Sequence, residues 1–162
     1  MRRSSILRLA AVAMTGLALL STMPRTALAQ TVSQLSQAEA ANKALVLDFW
    51  SKVFDAQDWT RAKDYLADDY IQHNPNVASG LAGFNAYFSK IWPNPKSTTA
   101  IIATEFVAVV TQGDLVQLVM RRSRAEPGDE LKTYDSYWFD LFRVKDGKIV
   151  EHWDPALKPV RN

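Results

Sequence analysis

The feature that most constrains this 162-residue chain is a change in amino-acid composition after Pro95. From Thr98 to Asp154 the sequence is rich in β-branched and aromatic residues, which favour strands. Turn residues interrupt this region at Gln112 to Asp114, Pro127 to Asp129 and Asp146-Gly147. We therefore expect about four long strands, joined by hairpins into one curved antiparallel sheet.

The region before the strands has the spacing of helices. Hydrophobic residues recur every four positions from Ala41 to Val53, and Ser36 with Glu39 forms a capping-box pattern at the start. Two further helices are predicted over residues 58–70 and 80–92, with an extended segment between them. Helices followed by a strand meander predict an α+β fold, in which N-terminal helices pack on the sheet and enclose a pocket.

The first 29 residues have the pattern of a secretory signal peptide. Arginines at the start precede an apolar stretch from Leu9 to Leu20, and Ala27 with Ala29 forms an A-x-A cleavage pattern. The apolar stretch is too short to span a membrane, which disfavours the alternative of a membrane anchor. We therefore expect a periplasmic or secreted protein, exported by the general or the twin-arginine route and cleaved after Ala29.

Removal of this segment changes the charge of the chain. The segment contains four arginines and no acidic residue, so the mature protein has 15 basic and 17 acidic residues. No basic surface then argues for a nucleic-acid partner, and the cluster from Arg121 to Arg124 is interpreted as a solvated strand end. The chain has no cysteine, which excludes a thiol nucleophile and a cysteine metal site. We expect a flexible entry over residues 30–36 and a single domain over 37–162.

The last hairpin carries the candidate chemistry. A three-residue loop from Lys145 to Gly147 would place Asp140 opposite His152. Alternation then puts six side chains on one face: Trp138, Asp140, Phe142, Val150, His152 and Asp154. An apolar pair followed by polar groups is the pattern of a lined pocket. A two-residue turn would instead separate Asp140 from His152, and a solvated strand end with Asp154 capping its turn is the other alternative.

Two stretches resemble SnoaL-like proteins of the nuclear transport factor 2-like superfamily: "YIQHNP", Tyr70 to Pro75, and "FDLFRVKDGKIVEHWD", Phe139 to Asp154. The resemblance implies an α+β cone with a deep internal pocket. Characterised SnoaL-type polyketide cyclases perform an intramolecular aldol condensation without a cofactor. By this likeness Asp154 is the acid/base and His152 supports it. Asp140 and Trp138 stand where those cyclases have a histidine and a glutamine, so this site departs from the cyclase pattern.

The likeness also places His73 and Asn74 near the mouth of the pocket. An aldol step needs a base beside a carbonyl and a donor for the enolate oxygen. Burial among aromatic side chains favours a carboxylate that holds a proton. The expected catalytic residues are Asp154, His152 and Asp140, and the expected substrate-binding residues are His73, Asn74, Trp138, Phe142 and Trp50.

Two alternatives use the same pocket. It could hold an apolar small molecule without catalysis, because a fold does not specify a reaction. A metal site of His73, His152 and a carboxylate is the other, although the spacing matches no standard motif. We otherwise expect no cofactor, no stable membrane insertion after signal removal, and, from the family likeness, a homodimer. Its contact would be the outward sheet face of Phe139, Leu141, Ile149 and Trp153, unless the C-terminal tail covers that face.

Overall fold

The computed structural model of this chain describes residues 35–94 and 104–159. The predicted signal peptide and nearly all of the predicted entry segment lie outside the described residues, so both stay predictions. Within the described ranges, no helix is long and apolar enough to cross a membrane.

The first helix begins as the sequence predicts. Helix α1 spans Gln37–Phe49, and its capping box is present: Ser36 Oγ accepts from the Glu39 amide at 3.2 Å, and Glu39 Oε2 accepts from the Ser36 amide at 2.9 Å. The helix continues as π-helical turns over Trp50–Asp55. These turns bring Trp50 and Phe54 into a stacked pair with ring centroids 4.7 Å apart.

The second predicted helix is wrong over its C-terminal half. A 3₁₀ helix covers only Trp59–Asp64, and strand β1 follows at Leu66–Gln72. Strand β1 pairs with the last strand of the sheet, and the Ile149 amide donates to the Tyr65 carbonyl at 2.8 Å where the pairing begins. Pairing with a distant strand has overridden the local helical pattern, since propensity is a weak prior against tertiary contacts. The third predicted helix is confirmed as α2, Gly80–Ile91.

The sheet contains five strands, one more than predicted, because β1 joins it. The strands after α2 are β2 Phe106–Gln112, β3 Leu115–Glu126, β4 Asp129–Lys145 and β5 Lys148–Trp153. Their order is β1-β5-β4-β3-β2, with β1 parallel to β5 and the other pairs antiparallel. The α+β class is confirmed, but the sheet is mixed and not purely antiparallel. The helices cover one face of it, where Phe49, Leu118 and Ile149 are fully buried.

The last hairpin places Asp140 and His152 on the same face, as expected, but through a different turn and a bulge. Asp146 and Gly147 both have positive φ, 51° and 72°, and Lys145 pairs with Lys148, so the turn has two residues and the predicted three-residue loop is wrong. A bulge follows, and Val150 is the extra residue: Val144 pairs with Ile149, and the next residue of β4, Arg143, pairs with Glu151.

The bulge reverses the face of every later residue on β5, because side chains alternate along a strand. Asp140 and His152 therefore share the inner face, as expected, but the prediction that they are directly opposite each other is wrong, because His152 pairs with Phe142. Ile149 is fully buried and Val150 is not, so the expectation that Ile149 faces outward and Val150 inward is wrong.

Candidate functional site

A cavity of about 350 Å³ lies between the inner face of the sheet and the helices. This volume is within the range of small-molecule sites, which begin at about 300 Å³. One wall is aromatic: Trp50 and Phe54 come from the π-helical turns, and Phe84 and Phe88 come from α2. The opposite wall is polar, and it is built by β1, β4 and β5.

The polar wall is centred on His152, which is 7% exposed. Its Nε2 atom lies 2.9 Å from Oδ1 of Asp140, which is 5% exposed. The Phe142 ring packs against the imidazole with centroids 4.7 Å apart, and the Trp138 indole N–H donates to the same Asp140 oxygen at 3.3 Å. The two sequence-predicted groups thus form a buried pair.

Gln72 holds the other nitrogen of His152. The Gln72 Oε1 atom accepts the Asn74 backbone amide at 2.9 Å, and its Nε2 donates to the Tyr70 hydroxyl at 2.7 Å. The oxygen must face the Asn74 amide, since two N–H groups cannot pair. His152 Nδ1 lies 2.8 Å from this oxygen, so Nδ1 must carry a proton and donate it.

This assignment determines what the His152–Asp140 contact contains. A neutral imidazole with its proton on Nδ1 has a bare Nε2, which cannot pair with a bare carboxylate oxygen. The pair therefore holds one further proton, either on Nε2 as an imidazolium or on Asp140. The second Asp140 oxygen, Oδ2, is buried and has no partner among the described residues. An isolated buried carboxylate is costly, and the shared proton offsets that cost.

Asp154 lies beside this pair in a different environment. It is partly exposed and lines the cavity. Asn74 Nδ2 donates to its Oδ2 at 2.7 Å, and the Ala156 amide donates to its Oδ1 at 2.9 Å. Asp154 therefore caps the turn after β5, as one alternative from the sequence proposed. It also faces the cavity.

Tyr70 and Gln72 are members of the polar wall that the sequence analysis missed. Tyr70 is 2% exposed, and burial raises the pKa of its hydroxyl above the ordinary range, with Asp154 and Asp140 adding to the effect. The hydroxyl accepts from Gln72, so its own proton is available to a ligand. Tyr70 fell at the end of the predicted second helix and Gln72 in the predicted extended segment. Alternation would have found both residues only if the pairing of this segment with β5 had been recognised.

The same alternation excludes His73. Its side chain is 41% exposed and does not line the cavity. Its Nε2 lies 2.8 Å from Glu151 Oε1, and its ring is stacked on Trp153 with centroids 4.9 Å apart. Arg143 also pairs with Glu151 at 2.9 Å, and the His73 hydrogen bond and Arg143 together lower the Glu151 pKa. His73 thus belongs to an outer cluster, and the predicted placement near the mouth is wrong.

Of the other predicted binding residues, Asn74, Trp138, Phe142 and Trp50 line the cavity. The two-histidine metal set does not assemble, because His73 and His152 lie on opposite faces. A different set is present: Asp140, His152 and Asp154 offer ligand atoms within 4.8 Å of one another. A metal bound to His152 Nε2 would replace the hydrogen bond between Nε2 and Asp140 Oδ1. The hydrogen-bonded pair and a metal complex therefore exclude each other.

The family model described as a SnoaL-like domain matches residues 46–152, more than half of the chain. No curated protein sequence gives a significant match. Similar solved structures include TsrD from Streptomyces laurentii, with 21% identity, a TM-score of 0.51, and 75% of this chain and 90% of that chain covered.

A protein with a cystatin-like fold from Xanthomonas campestris has 21% identity, a TM-score of 0.50 and coverage of 70% and 88%. An LEH-like epoxide hydrolase from M. tuberculosis has 14% identity, a TM-score of 0.51 and coverage of 72% and 82%. At these identities the likeness shows the fold alone. It agrees with the cone that the sequence resemblance implies.

Proposed function

Because the chain belongs to the SnoaL-like domain family, we propose that it is a pocket enzyme for acid/base chemistry beside a carbonyl group. The reaction class is aldol condensation or isomerisation of a small carbonyl compound without a cofactor. The observation that carries the proposal is the buried His152–Asp140 pair, which holds a proton next to a cavity-facing carboxylate.

Asp154 is the proposed base. Both Asp140 and Asp154 line the cavity, but Asp154 is partly exposed, whereas Asp140 is buried and contacts His152 and Trp138. In the proposed step Asp154 takes a proton from the carbon next to the carbonyl, and the electron pair moves to the carbonyl oxygen to give an enolate. The same residue then returns the proton to the product, either to carbon or to a new alkoxide.

The enolate oxygen needs a donor, and two are near. The Tyr70 hydroxyl keeps its proton because its pKa is raised by burial. The His152–Asp140 pair keeps a second proton close to the same space. Donors fixed in an enclosed site stabilise a developing oxyanion without reorganisation.

Deuterium exchange tests this proposal without knowledge of the natural substrate. The mature protein would be incubated in D₂O with a panel of small 1,3-dicarbonyl compounds and cyclic ketones, and α-deuterium would be measured by mass spectrometry. We expect enzyme-dependent exchange, reduced about 100-fold or more in Asp154→Asn, the range for loss of a general base.

The control for this experiment is Asp69→Asn, because Asp69 is exposed on β1 and does not line the cavity. Exchange that survives Asp154→Asn unchanged would overturn the assignment of the base. Exchange that falls equally in both variants would show a loss of folding and not of chemistry, and urea unfolding of each variant separates these results.

A second candidate function is non-catalytic binding of an apolar small molecule. The aromatic wall favours it, since Trp50, Phe84 and Phe88 present apolar surface to the cavity. A carrier would bind its ligand equally well after Asp154→Asn and would catalyse no exchange. The two functions therefore differ in a single measurement.

We also propose export and self-association for this chain. Export rests on the signal-peptide pattern of residues 1–29, and the N-terminal sequence of the mature protein should begin at Gln30. A homodimer would use the outward face of β4, where Tyr137 and Phe139 are half-exposed. Light scattering on the purified protein would measure the mass directly.

A further inference from the structure

The arginines from Arg121 to Arg124 are divided between the two sides of β3. Arg121 forms ion pairs with Glu105 and Asp135 at 3.8 and 3.5 Å. Arg122 and Arg124 line the cavity instead. All three are exposed, so the strand end is solvated as expected, but alternation turns two of its charges toward the site.

Neither cavity-lining arginine is neutralised by its neighbours. The Arg122 guanidinium lies over the Trp138 ring at 5.7 Å, and its Nη2 lies 3.2 Å from the Met120 sulfur. In residues 35–94 and 104–159, neither Arg122 nor Arg124 forms an ion pair.

The residues directly opposite these arginines on β4 are also uncharged: Ser136 faces Arg122, and Tyr134 faces Arg124. Arg122 and Arg124 are separated by two strand rises, roughly 7 Å, so the two like charges stand side by side at the cavity, and no residue that the structure describes forms an ion pair with either of them.

The opposite charges lie on the polar wall. Asp140 and Asp154 belong to the same cavity as the two arginines. Along β4 and β3, Asp140 pairs with Leu118, whereas Arg122 and Arg124 are four and six residues further toward the hairpin end. An anionic group on a ligand is thus attracted to the arginines and repelled by the carboxylates, and this difference would fix the orientation of the ligand.

We propose that the ligand carries a carboxylate, bound by Arg122 and Arg124 at the mouth, at the end remote from the group that reaches Asp154. Guanidinium groups match a carboxylate by paired hydrogen bonds, and Trp138 holds one of them in place. The ligand class is an aromatic or alicyclic oxo acid whose ring packs on the aromatic wall. Only the part of this inference that concerns the carbonyl group near Asp154 rests on the proposed function.

The test compares two ligands of one shape, 2-naphthoate and its neutral amide 2-naphthamide, by calorimetric titration of the mature protein. We expect the wild type to bind naphthoate about tenfold or more tightly than naphthamide, and we expect added salt to reduce this preference. Arg124→Gln should remove most of the preference. Because Arg124 makes no hydrogen bond or ion pair within the described part of the chain, its replacement tests charge alone.

The matched control is Arg121→Gln on the other side of the same strand, which should keep the full preference. Arg122→Gln should lose the preference as Arg124→Gln does. Equal affinity for the two ligands in the wild type would overturn the proposal. So would an unchanged preference in Arg124→Gln, or no binding of either ligand at millimolar concentration.

Failure of the carboxylate proposal is distinguishable from failure of the proposed reaction. Exchange with a neutral ketone depends on Asp154 and needs no carboxylate on the substrate, so exchange and carboxylate preference are measured independently. If naphthoate is preferred through the arginines but no exchange occurs with any carbonyl compound, the carboxylate site stands and the catalytic proposal falls. If exchange occurs without a preference for naphthoate, the catalytic proposal stands and the carboxylate site falls.

Discussion

At the scale of single residues, Gln72 controls the protonation of the site. Its amide group is fixed from two sides, by the Asn74 amide and by the Tyr70 hydroxyl, so it can only accept from His152. The acceptor selects the proton on Nδ1 and turns Nε2 toward Asp140. The neutral amide of Gln72 thereby determines which nitrogen of His152 carries the proton, and so the protonation of the His152–Asp140 pair.

Tyr70 leads to a prediction about alkaline pH. Burial raises the pKa of its phenol above the ordinary value of 10.0. Because the unfolded chain loses this proton first, stability is complete below pH 10.0 and falls as pH rises toward the folded pKa. The slope from one group is at most about 1.4 kcal/mol per pH unit. Tyr70→Phe should therefore lose less stability than wild type between pH ~8 and pH ~11, measured by urea unfolding.

The control for Tyr70→Phe is Tyr137→Phe, whose side chain is half-exposed on the outer face. Tyr65, whose pKa is also raised by burial, contributes to the alkaline loss in all three proteins. An alkaline loss that is the same in Tyr70→Phe and wild type would contradict the assigned burial of this hydroxyl.

At the scale of elements, the bulge in β5 determines which residues form the site. The two-residue turn alone would have separated Asp140 from His152, and the extra residue Val150 brings them back together. Turn residues and alternation could predict the hairpin and the inner face of β4, but they assigned Ile149 and Val150 to the wrong faces of β5. They could not predict the bulge, because the pattern of both strands is partly apolar on each face and admits either register.

The misassigned helix over residues 58–70 has a related cause. The segment is helical by local pattern, yet Leu66–Gln72 pairs with β5, more than 70 residues away in the chain. Long-range pairing leaves no local trace. Tyr70 was therefore placed in a helix, and the face of the extended segment that presents Gln72 to the cavity could not be assigned. The elements that depend on local signals, α1, α2 and the positions of the three hairpin turns, were predicted correctly, although the last turn has two residues and not three.

The start of α1 gives a prediction about acid pH. Glu39 accepts from the Gly113 amide at 2.8 Å and from the Ser36 amide, and these hydrogen bonds lower its pKa below 4.5. A lowered pKa means that the contribution to stability is present above pH 4.5 and is lost as pH falls through the folded value. Glu39→Gln should destabilise the protein at pH ~7 but much less at pH ~3, as measured by the urea midpoint.

The comparison for Glu39→Gln is Glu130→Gln, which removes an exposed charge from β4. Its midpoint should shift little at either pH, since surface changes usually stay within about 0.5 kcal/mol. Equal shifts at both pH values for Glu39→Gln would show that the carboxylate charge does not matter to this contact.

At the scale of the whole molecule, the cavity combines three surfaces that the fold brings together from distant parts of the chain. The helices supply aromatic side chains, β1, β4 and β5 supply the proton-holding group, and β3 supplies two arginines. Each surface addresses a different part of a ligand: a ring, a reacting carbonyl and a carboxylate. The proposed function uses the first two surfaces, and the carboxylate proposal adds the third.

The most direct test of this account is the protonation of His152 itself. The chain contains two histidines, so long-range ¹H–¹⁵N correlation spectra of the labelled mature protein can be assigned by replacing the exposed His73 with glutamine. We predict that at neutral pH His152 carries a proton on Nδ1, with Nε2 either protonated as well or hydrogen-bonded to a proton on Asp140. A neutral imidazole with a proton on Nε2 and a bare Nδ1 would contradict it.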